Sequence, residues 1–280
     1  MKLHLGKYFL LIITTLVLVF MVRCGDDNVS GGDVGTLVVR LTDAPFPIDL
    51  VDEANVTINK IELRESADGD DPFLTLVENA QLPFNLLDLQ NAVTGDLVQI
   101  EIPVGSYNLV RLYVSEANVI LKDGTNFDLT VPSGAQTGIK IFIQPAIEVV
   151  GGLTSELLLD FDVGKSFVVQ GNPNTPAGIN GFIFTPVIRA VNMSTAGRIT
   201  GLVRDNSSAV LPNAEVWIEQ ESVVSTTFTD ETGAYALIGV PAGDYSVYTT
   251  KADHDTVSAS GLVVVAGNET QQDFELTPKQ

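Results

Sequence analysis

Histidine and cysteine are almost absent from this chain of 280 residues, which contains two histidines and one cysteine. Zinc sites are built mainly from these two side chains, so their number excludes a His- or Cys-based zinc site. A single cysteine also excludes a disulfide within the chain. A Ser–His–Asp triad would depend on His254, which lies in the loop-like segment Lys-Ala-Asp-His-Asp. The sequence therefore predicts neither an enzyme nor a bound cofactor.

Basic residues are also scarce. The chain has 15 Lys and Arg against 35 Asp and Glu, a formal net charge of −20. Lys2, Lys7 and Arg23 fall in the first 23 residues, which contain no acid, so residues 24–280 carry 12 basic and 35 acidic groups, a formal −23. A field of that sign repels phosphate backbones, and nucleic acid is not an expected partner.

One apolar run, residues 9–22, follows the basic start of the chain. As a helix it would span about 21 Å, which is short of a hydrocarbon core of roughly 30 Å. A basic start, a short apolar segment and then a polar chain predict a signal peptide over residues 1–23. Residues 24–34, rich in Gly and Asp, predict a flexible tether.

The only cysteine, Cys24, stands where the apolar run ends. The segment Met21-Val22-Arg23-Cys24 resembles the lipobox of bacterial lipoproteins, with Arg23 in place of the usual small residue. The resemblance implies a diacylglycerol group on Cys24 and attachment to a membrane through this N-terminal lipid. We expect the outer membrane, with the protein either periplasmic or exposed at the cell surface. A stray thiol, either buried or free, is the alternative.

Helical periodicity is not sustained anywhere after residue 24, and short alternating segments take its place. Val56 and Ile58, then Ile61 and Leu63 after a one-residue slip, predict a bulged strand. Further strands are predicted at residues 36–43, 97–102, 107–115, 118–121, 127–131, 139–143, 156–161, 167–169 and 182–191, and seven more at 198–205, 214–220, 223–230, 234–240, 244–250, 258–265 and 270–276. Residues 84–89 fit a strand or one helical turn. The predicted fold class is all-β, with two β-sandwich domains of the immunoglobulin/transthyretin-like Greek-key type at 35–192 and 198–277.

The pattern Pro-x-Gly-x-Tyr occurs twice, at residues 103–107 and 241–245. Proline ends the preceding strand because it lacks an N–H, and glycine allows the chain to turn. The tyrosine then begins the next strand, with its ring in the core and its hydroxyl able to reach backbone. This predicts a tyrosine corner in each domain, with coincidence between two common turn patterns as the alternative.

Two family resemblances follow from longer motifs. Residues 198–277 resemble the carboxypeptidase regulatory-like domain through Ile199-Thr-Gly-Leu-Val-Arg-Asp205, Leu211-Pro-Asn-Ala-Glu-Val216, Thr229-Asp-Glu-Thr-Gly-Ala-Tyr235 and Val240-Pro-Ala-Gly-Asp-Tyr-Ser-Val247. The resemblance implies an accessory domain with a transthyretin-like, starch-binding-like fold. Residues 35–192 resemble domain of unknown function 4382, a family of bacterial lipoproteins, through Leu41-Thr-Asp-Ala-Pro45, Pro103-Val-Gly-Ser-Tyr107, Arg111-Leu112, Val131-Pro-Ser133, Thr137-Gly-Ile-Lys140, Asp160-Phe-Asp162, Lys165-Ser166 and Pro186-Val-Ile-Arg189. That resemblance implies no catalytic residues.

Clustered carboxylates are the only candidates for ion chemistry. Asp68, Asp70 and Asp71 form an acidic turn with oxygen ligands of the kind that calcium prefers, although the EF-hand spacing is absent. Asp160 and Asp162 share one face of a strand by alternation. Solvated turns and ion pairs with neighbouring Lys or Arg are the alternative reading of both groups.

Two aromatic residues suggest a binding surface. By alternation Trp217 points away from Val216 and Ile218, and Tyr248 points away from Val247. Exposed aromatic faces are what carbohydrate platforms need, so the leading hypothesis is a non-enzymatic lipoprotein that binds glycan through Trp217 and Tyr248. Packing of both rings against the first domain is the alternative. A structural or adhesive surface protein that contacts other envelope proteins is the second hypothesis, and a hydrolase with two carboxylates in a cleft is the third.

Overall fold

Strands dominate the structure because apolar and polar side chains alternate along most of the chain. The computed structural model describes residues 32–44, 46, 49–66, 72–131 and 137–279. In the strand Val51–Glu65 (β2) the side chains of Val56, Ile58, Ile61 and Leu63 are all buried. The register with the neighbouring strand shifts on both sides of Ile58, which confirms the predicted bulge. The all-β fold class with sandwich-like domains is likewise confirmed.

Twelve strands are found among the described residues of the first part of the chain. They are β1 (Val34–Ala44), β2, β3 (Leu74–Val77), β4 (Leu82–Asn85), β5 (Gly95–Pro103), β6 (Gly105–Leu121), β7 (Asn126–Leu129), β8 (Ile139–Val149), β9 (Thr154–Asp162), β10 (Phe167–Gly171), β11 (Ile179–Phe184) and β12 (Ile188–Asn192). Short 3₁₀ turns lie at Leu86–Leu89, Pro176–Gly178 and Met193–Thr195, and one α-helical turn lies at Val163–Ser166. Within the described residues, no helix has the length and apolar character needed to cross a bilayer.

Ten of these strands form one sheet in the order β3-β2-β6-β8-β12-β9-β1-β5, with β4 added to β2 and β7 added to β6. Strands β10 and β11 form a separate two-stranded sheet. Strands β3 and β5, at opposite ends of the order, approach one another. The sheet therefore folds over on itself around a core to which Leu37, Leu41 and Phe161 contribute fully buried side chains.

The structure differs from the predicted strands in several places, and residues 270–276, predicted as one strand, contain the ends of two, Glu269–Gln271 and Phe274–Leu276. Residues 107–115 and 118–121 belong to one continuous strand, β6, because Glu116 and Ala117 continue its pairing with β2. The prediction of a single strand over 182–191 was wrong. Pro186 cannot donate to a ladder, and the chain there divides into β11 and β12. Residues 84–89 end β4 and then make one 3₁₀ turn.

Eight strands build the second part. They are β13 (Ala196–Asp205), β14 (Glu215–Glu219), β15 (Val223–Phe228), β16 (Ala234–Pro241), β17 (Gly243–Thr250), β18 (Val257–Val264), β19 (Glu269–Gln271) and β20 (Phe274–Leu276). One four-stranded sheet has the order β16-β13-β19 with β20 on β13, and the other has the order β15-β14-β17-β18. Ile199, Val216 and Val247 are among the fully buried side chains between them.

Both Pro-x-Gly-x-Tyr patterns form the predicted tyrosine corner. The Tyr107 ring is buried and its hydroxyl donates to the Pro103 carbonyl oxygen at 2.9 Å. The Tyr245 ring is also buried and its hydroxyl donates to the Pro241 carbonyl oxygen at the same distance. Burial of the ring raises the pKa of both phenols above the ordinary value. The repeated pattern therefore has a structural role, because in both places it connects two consecutive strands and anchors the tyrosine hydroxyl to the backbone.

Candidate functional site

An aromatic pair lies on the outward face of the sheet β15-β14-β17-β18. Val216 and Ile218 of β14 are buried, so the intervening Trp217 side chain projects from the opposite face. Trp217 and Tyr248 are cross-strand partners in β14 and β17. Their rings stack with centroids 5.3 Å apart and planes 11° apart. The pair is a rigid apolar surface with polar edges, which is the kind of group that stacks on sugar rings.

Glu219 fixes the orientation of the indole. Its Oε1 atom accepts a hydrogen bond from Trp217 Nε1 at 2.8 Å, and both side chains project from the same face of β14. A carboxylate has lone pairs on both oxygens, so Glu219 can accept a further hydrogen bond from a ligand hydroxyl. Apolar stacking and a polar acceptor therefore occur side by side, as a carbohydrate site needs.

Small polar side chains flank the two rings. Thr226 of β15 is paired with Trp217, and Ser258 of β18 is paired with Tyr248. The four side chains form a row across the sheet in the order Thr226, Trp217, Tyr248, Ser258, with neighbouring strands about 4.8 Å apart. The half-buried Trp217 and Tyr248 thus have no bulky partner on either side within this row.

A cleft of about 260 Å³ opens at the edge of β15. Its second wall comes from the first part of the chain. Asp160 and Arg189, paired across β9 and β12, form an ion pair with Oδ2 and Nη2 2.5 Å apart. Asp162 and Lys165 form a second pair, with Oδ2 and Nζ 2.7 Å apart. The expected sharing of one face by Asp160 and Asp162 is borne out, since both line this cleft.

Arg189 and Asn91 join the two parts of the chain next to the cleft. Arg189 Nη1 donates to the Gly239 carbonyl oxygen of β16 at 3.2 Å. Asn91 Oδ1 accepts a hydrogen bond from the Ala236 N–H at 2.6 Å, and Asn91 Nδ2 donates to the Ala234 carbonyl oxygen at 3.3 Å. The side chain thus makes the same two kinds of hydrogen bond to β16 that a neighbouring strand would make. A small apolar cluster, in which Leu158 and Val191 of the first part contact Ala196 of the second, also joins the two parts. The cleft is therefore held between two fixed walls.

A second polar cluster lies on the face of β2 and β6. Glu62 receives hydrogen bonds from Lys60 Nζ at 2.8 Å and Tyr113 Oη at 2.8 Å, and Arg111 stacks on the Phe73 ring at 3.8 Å. Partial burial alone would raise the pKa of Glu62, but these hydrogen bonds and the charges of Lys60 and Arg111 outweigh it and hold the pKa below its ordinary value. The carboxylate is saturated by its neighbours, and the cluster acts as a structural network.

The remaining candidate residues either lie outside the described residues or make only local contacts. Cys24, Asp68, Asp70 and Asp71 lie outside the described residues. His254 Nδ1 lies 3.0 Å from the Ala252 carbonyl oxygen, a local backbone contact. Among the described residues, no group of three or more His, Cys, Asp or Glu side chains is arranged to hold a metal ion.

Sequence reasoning missed the cleft side of the site. Thr226 and Arg189 carry no motif that indicates binding, and they line one cleft because the edge of β15 lies opposite the end of β9 and the start of β12. The pairing of Thr226 with Trp217 was accessible in principle, because 223–228 and 215–219 are adjacent strands joined by a short turn. Arg189 was singled out in a family motif, but no local pattern indicates its ion pair with Asp160.

Several solved structures are similar to parts of this chain. A 3-chlorocatechol 1,2-dioxygenase from Rhodococcus opacus matches at 13% identity over 30% of this chain and 61% of that chain, with a TM-score of 0.25. A putative carbohydrate binding protein from Bacteroides uniformis matches at 18% identity over 29% of this chain and 41% of that chain, with a TM-score of 0.26. The major pilin subunit BcpA of Bacillus cereus matches at 11% identity over 88% of this chain and 71% of that chain, with a TM-score of 0.26. The chain spans less than two thirds of the first two proteins. Similarity at this level supports no argument about function.

Family models match both parts of the chain. A model described as "Domain of unknown function (DUF4382)" matches residues 34–186, and one described as "Carboxypeptidase regulatory-like domain" matches residues 198–277. Both resemblances stated from the sequence motifs, and their order, are thereby confirmed. No curated protein matches the chain. Because the first model covers more than half of the 280 residues, the chain belongs to the family described as domain of unknown function DUF4382, and it carries a carboxypeptidase regulatory-like domain after that region.

Proposed function

We propose that this protein is a non-enzymatic, lipid-anchored protein of the outer membrane that binds carbohydrate through the Trp217–Tyr248 pair. The observation that carries the proposal is the stacked pair on the outward face of β14 and β17, with Glu219 hydrogen-bonded to the indole. Stacking of a sugar on such rings combines apolar contact with hydrogen bonds to its hydroxyl groups. A non-catalytic role is supported by the ion pairing of both cleft carboxylates, Asp160 and Asp162.

A glycan array probed with the full chain in detergent tests carbohydrate binding, followed by calorimetry on the glycans that bind. We expect Trp217→Ala to weaken binding about tenfold or more, which corresponds to about 1.4 kcal/mol. Phe142→Ala is the matched control, because Phe142 is an aromatic side chain 62% exposed on β8, outside the site. Absence of any bound glycan, or full affinity in Trp217→Ala, would contradict the proposal.

The lipid anchor is tested separately at Cys24. Mass spectrometry of the N-terminal peptide is expected to show cleavage before Cys24 and a thioether-linked diacylglycerol on it. Cys24→Ser removes the thiol that would carry the lipid, so this variant is expected to leave the membrane fraction. An unmodified Cys24 in the membrane-associated protein would overturn the anchor without touching the glycan proposal.

A structural or adhesive role is the second candidate, and exposed apolar side chains favour it. Val168 and Ile183 are cross-strand partners in β10 and β11, and they are 47% and 49% exposed. Adjacent exposed apolar side chains are frequent at protein–protein contacts. In this case Val168→Lys combined with Ile183→Lys should abolish attachment of cells or of purified protein to envelope or matrix proteins, while Trp217→Ala should leave that attachment unchanged.

A further inference from the structure

The cleft at the edge of β15 adjoins the aromatic pair directly. Thr226 is the strand partner of Trp217, so the two side chains project from the same face, and Thr226 also lines the cleft. Glu219, which receives the indole N–H, is paired with Val223, another residue of the cleft wall. The aromatic pair and the cleft, which Val187, Ile188 and Val223 line together with the charged side chains, are therefore neighbouring parts of one surface.

The groups that line the cleft suit neutral polar ligands. Its two carboxylates, Asp160 and Asp162, are each paired with one cation, Arg189 and Lys165, so the four side chains carry no net charge. Paired carboxylate, guanidinium and ammonium groups retain unused lone pairs and N–H donors, which bind hydroxyl groups well. The chain as a whole carries a formal charge of −20, which disfavours an anionic ligand further.

The dimensions indicate how much of a ligand this surface can hold. Adjacent strands lie about 4.8 Å apart, so Tyr248, Trp217 and Thr226 mark successive steps of about 5 Å toward the cleft. A pyranose unit in a linear chain advances by a similar distance. The cleft volume of about 260 Å³ corresponds to roughly nine water molecules at about 30 Å³ each, enough room for one sugar ring.

We infer that the aromatic pair and the cleft form one extended site for a neutral linear oligosaccharide of at least three units, with one end stacked on Trp217 and Tyr248 and the other in the cleft between the two parts of the chain. This inference rests on the proposed carbohydrate function and specifies the ligand class and the second half of the site. Lys165 and Thr226 act there as binding residues, through their ammonium and hydroxyl groups. The first part of the chain thus contributes directly to recognition.

Calorimetry on the full chain with neutral glucan oligosaccharides of two to six units, both maltose-type and cellobiose-type, tests the inference. We expect the affinity to rise at least fivefold between two and four units and then to level off. Oligogalacturonates of equal length should bind at least tenfold more weakly than the neutral series, because they are anionic.

Two cleft variants separate the halves of the site. Lys165→Gln and Thr226→Val should weaken binding of the four-unit ligand at least fivefold and leave the two-unit ligand within twofold of wild type. Lys122→Gln is the matched control, an exposed lysine between β6 and β7. Unfolding midpoints measured by Trp217 fluorescence verify that each variant is folded.

Failure of the inference and failure of the proposed function give different results. If no neutral or acidic oligosaccharide binds, the carbohydrate function is overturned, and the extended site with it. If oligosaccharides bind with an affinity that is independent of length and unchanged in both cleft variants, the extended site is overturned and the aromatic pair alone remains. Tighter binding of oligogalacturonates would overturn the neutral ligand class.

Discussion

The two tyrosine corners offer a direct test of how this fold is stabilised. Tyr245→Phe removes one hydroxyl and leaves the buried ring in place. The lost interaction is the 2.9 Å hydrogen bond to the Pro241 carbonyl oxygen. Pro241 itself is exposed, so water can replace the hydroxyl at the carbonyl, and the free energy of unfolding should fall by about 1 kcal/mol rather than by the larger cost of an unsatisfied buried group.

Urea unfolding monitored by Trp217 fluorescence measures this change, because Trp217 is the only tryptophan and lies in the same sheet as Tyr245. With a denaturant slope of about 2 kcal/mol/M, a loss of about 1 kcal/mol lowers the midpoint by about 0.5 M. Tyr107→Phe should lower the free energy of unfolding by a similar amount, measured by circular dichroism, because the hydrogen bond from Tyr107 to the Pro103 carbonyl oxygen has the same length.

Tyr248→Phe is the matched control, because it makes the same chemical change on the same strand at a side chain that faces away from the core. Its unfolding free energy should stay within about 0.5 kcal/mol of wild type. If both corner variants were as stable as the control, the shared hydrogen bond would contribute nothing. The recurrence of Pro-x-Gly-x-Tyr would then be explained by the turn alone.

Three further predictions concern single positions. Gly201→Ala should lower the free energy of unfolding of the second part by more than about 3 kcal/mol, because a Cβ atom at this position would lie 1.8 Å from the Gln272 carbonyl oxygen. Urea unfolding measures this change, and an unchanged midpoint would refute it. Hydrogen bonds from the Thr232 side chain and from nearby backbone N–H groups hold the pKa of Asp230 below its ordinary value. The stability that this carboxylate contributes is present above the pKa of the unfolded chain and is lost as pH falls through the lowered pKa. Wild type should therefore lose more stability than Asp230→Asn between pH 5 and pH 2, and equal losses would count against this reasoning. Asn91→Ala should cost about 1–2 kcal/mol and accelerate hydrogen exchange at the amides of β16; unchanged exchange would mean that this side chain does not hold the two parts together.

The predictions from sequence succeeded for features that are determined by a few consecutive residues. The bulge in β2 follows from the slip between Ile58 and Ile61, and both ends of the slip are visible in the alternation of apolar residues. The outward direction of Trp217 and Tyr248 follows from the same period of two. Their stacking follows only from the pairing of β14 with β17, since the register decides which residues on the two strands meet.

The predicted strands were wrong where contacts between distant parts of the chain determine the secondary structure. The continuity of β6 through Glu116 and Ala117 depends on the pairing of these residues with β2, which overrides their weak local preference for strand. Strand β3 was not predicted at all. It has four residues and joins the edge of β2 over only part of its length, too short a segment for periodicity to indicate.

The sequence by itself determined the all-β class, the two tyrosine corners and the direction of the aromatic pair. Each of these depends on residues close together in the chain, whose alternation or turn chemistry sets the local conformation. Only the tertiary structure decided that Thr226 stands between the aromatic pair and a cleft, and that Arg189 and Asp160 form its far wall. Thr226 and Asp160 are separated by 226 − 160 = 66 positions, and these residues become neighbours because folding buries the apolar faces of several sheets at once.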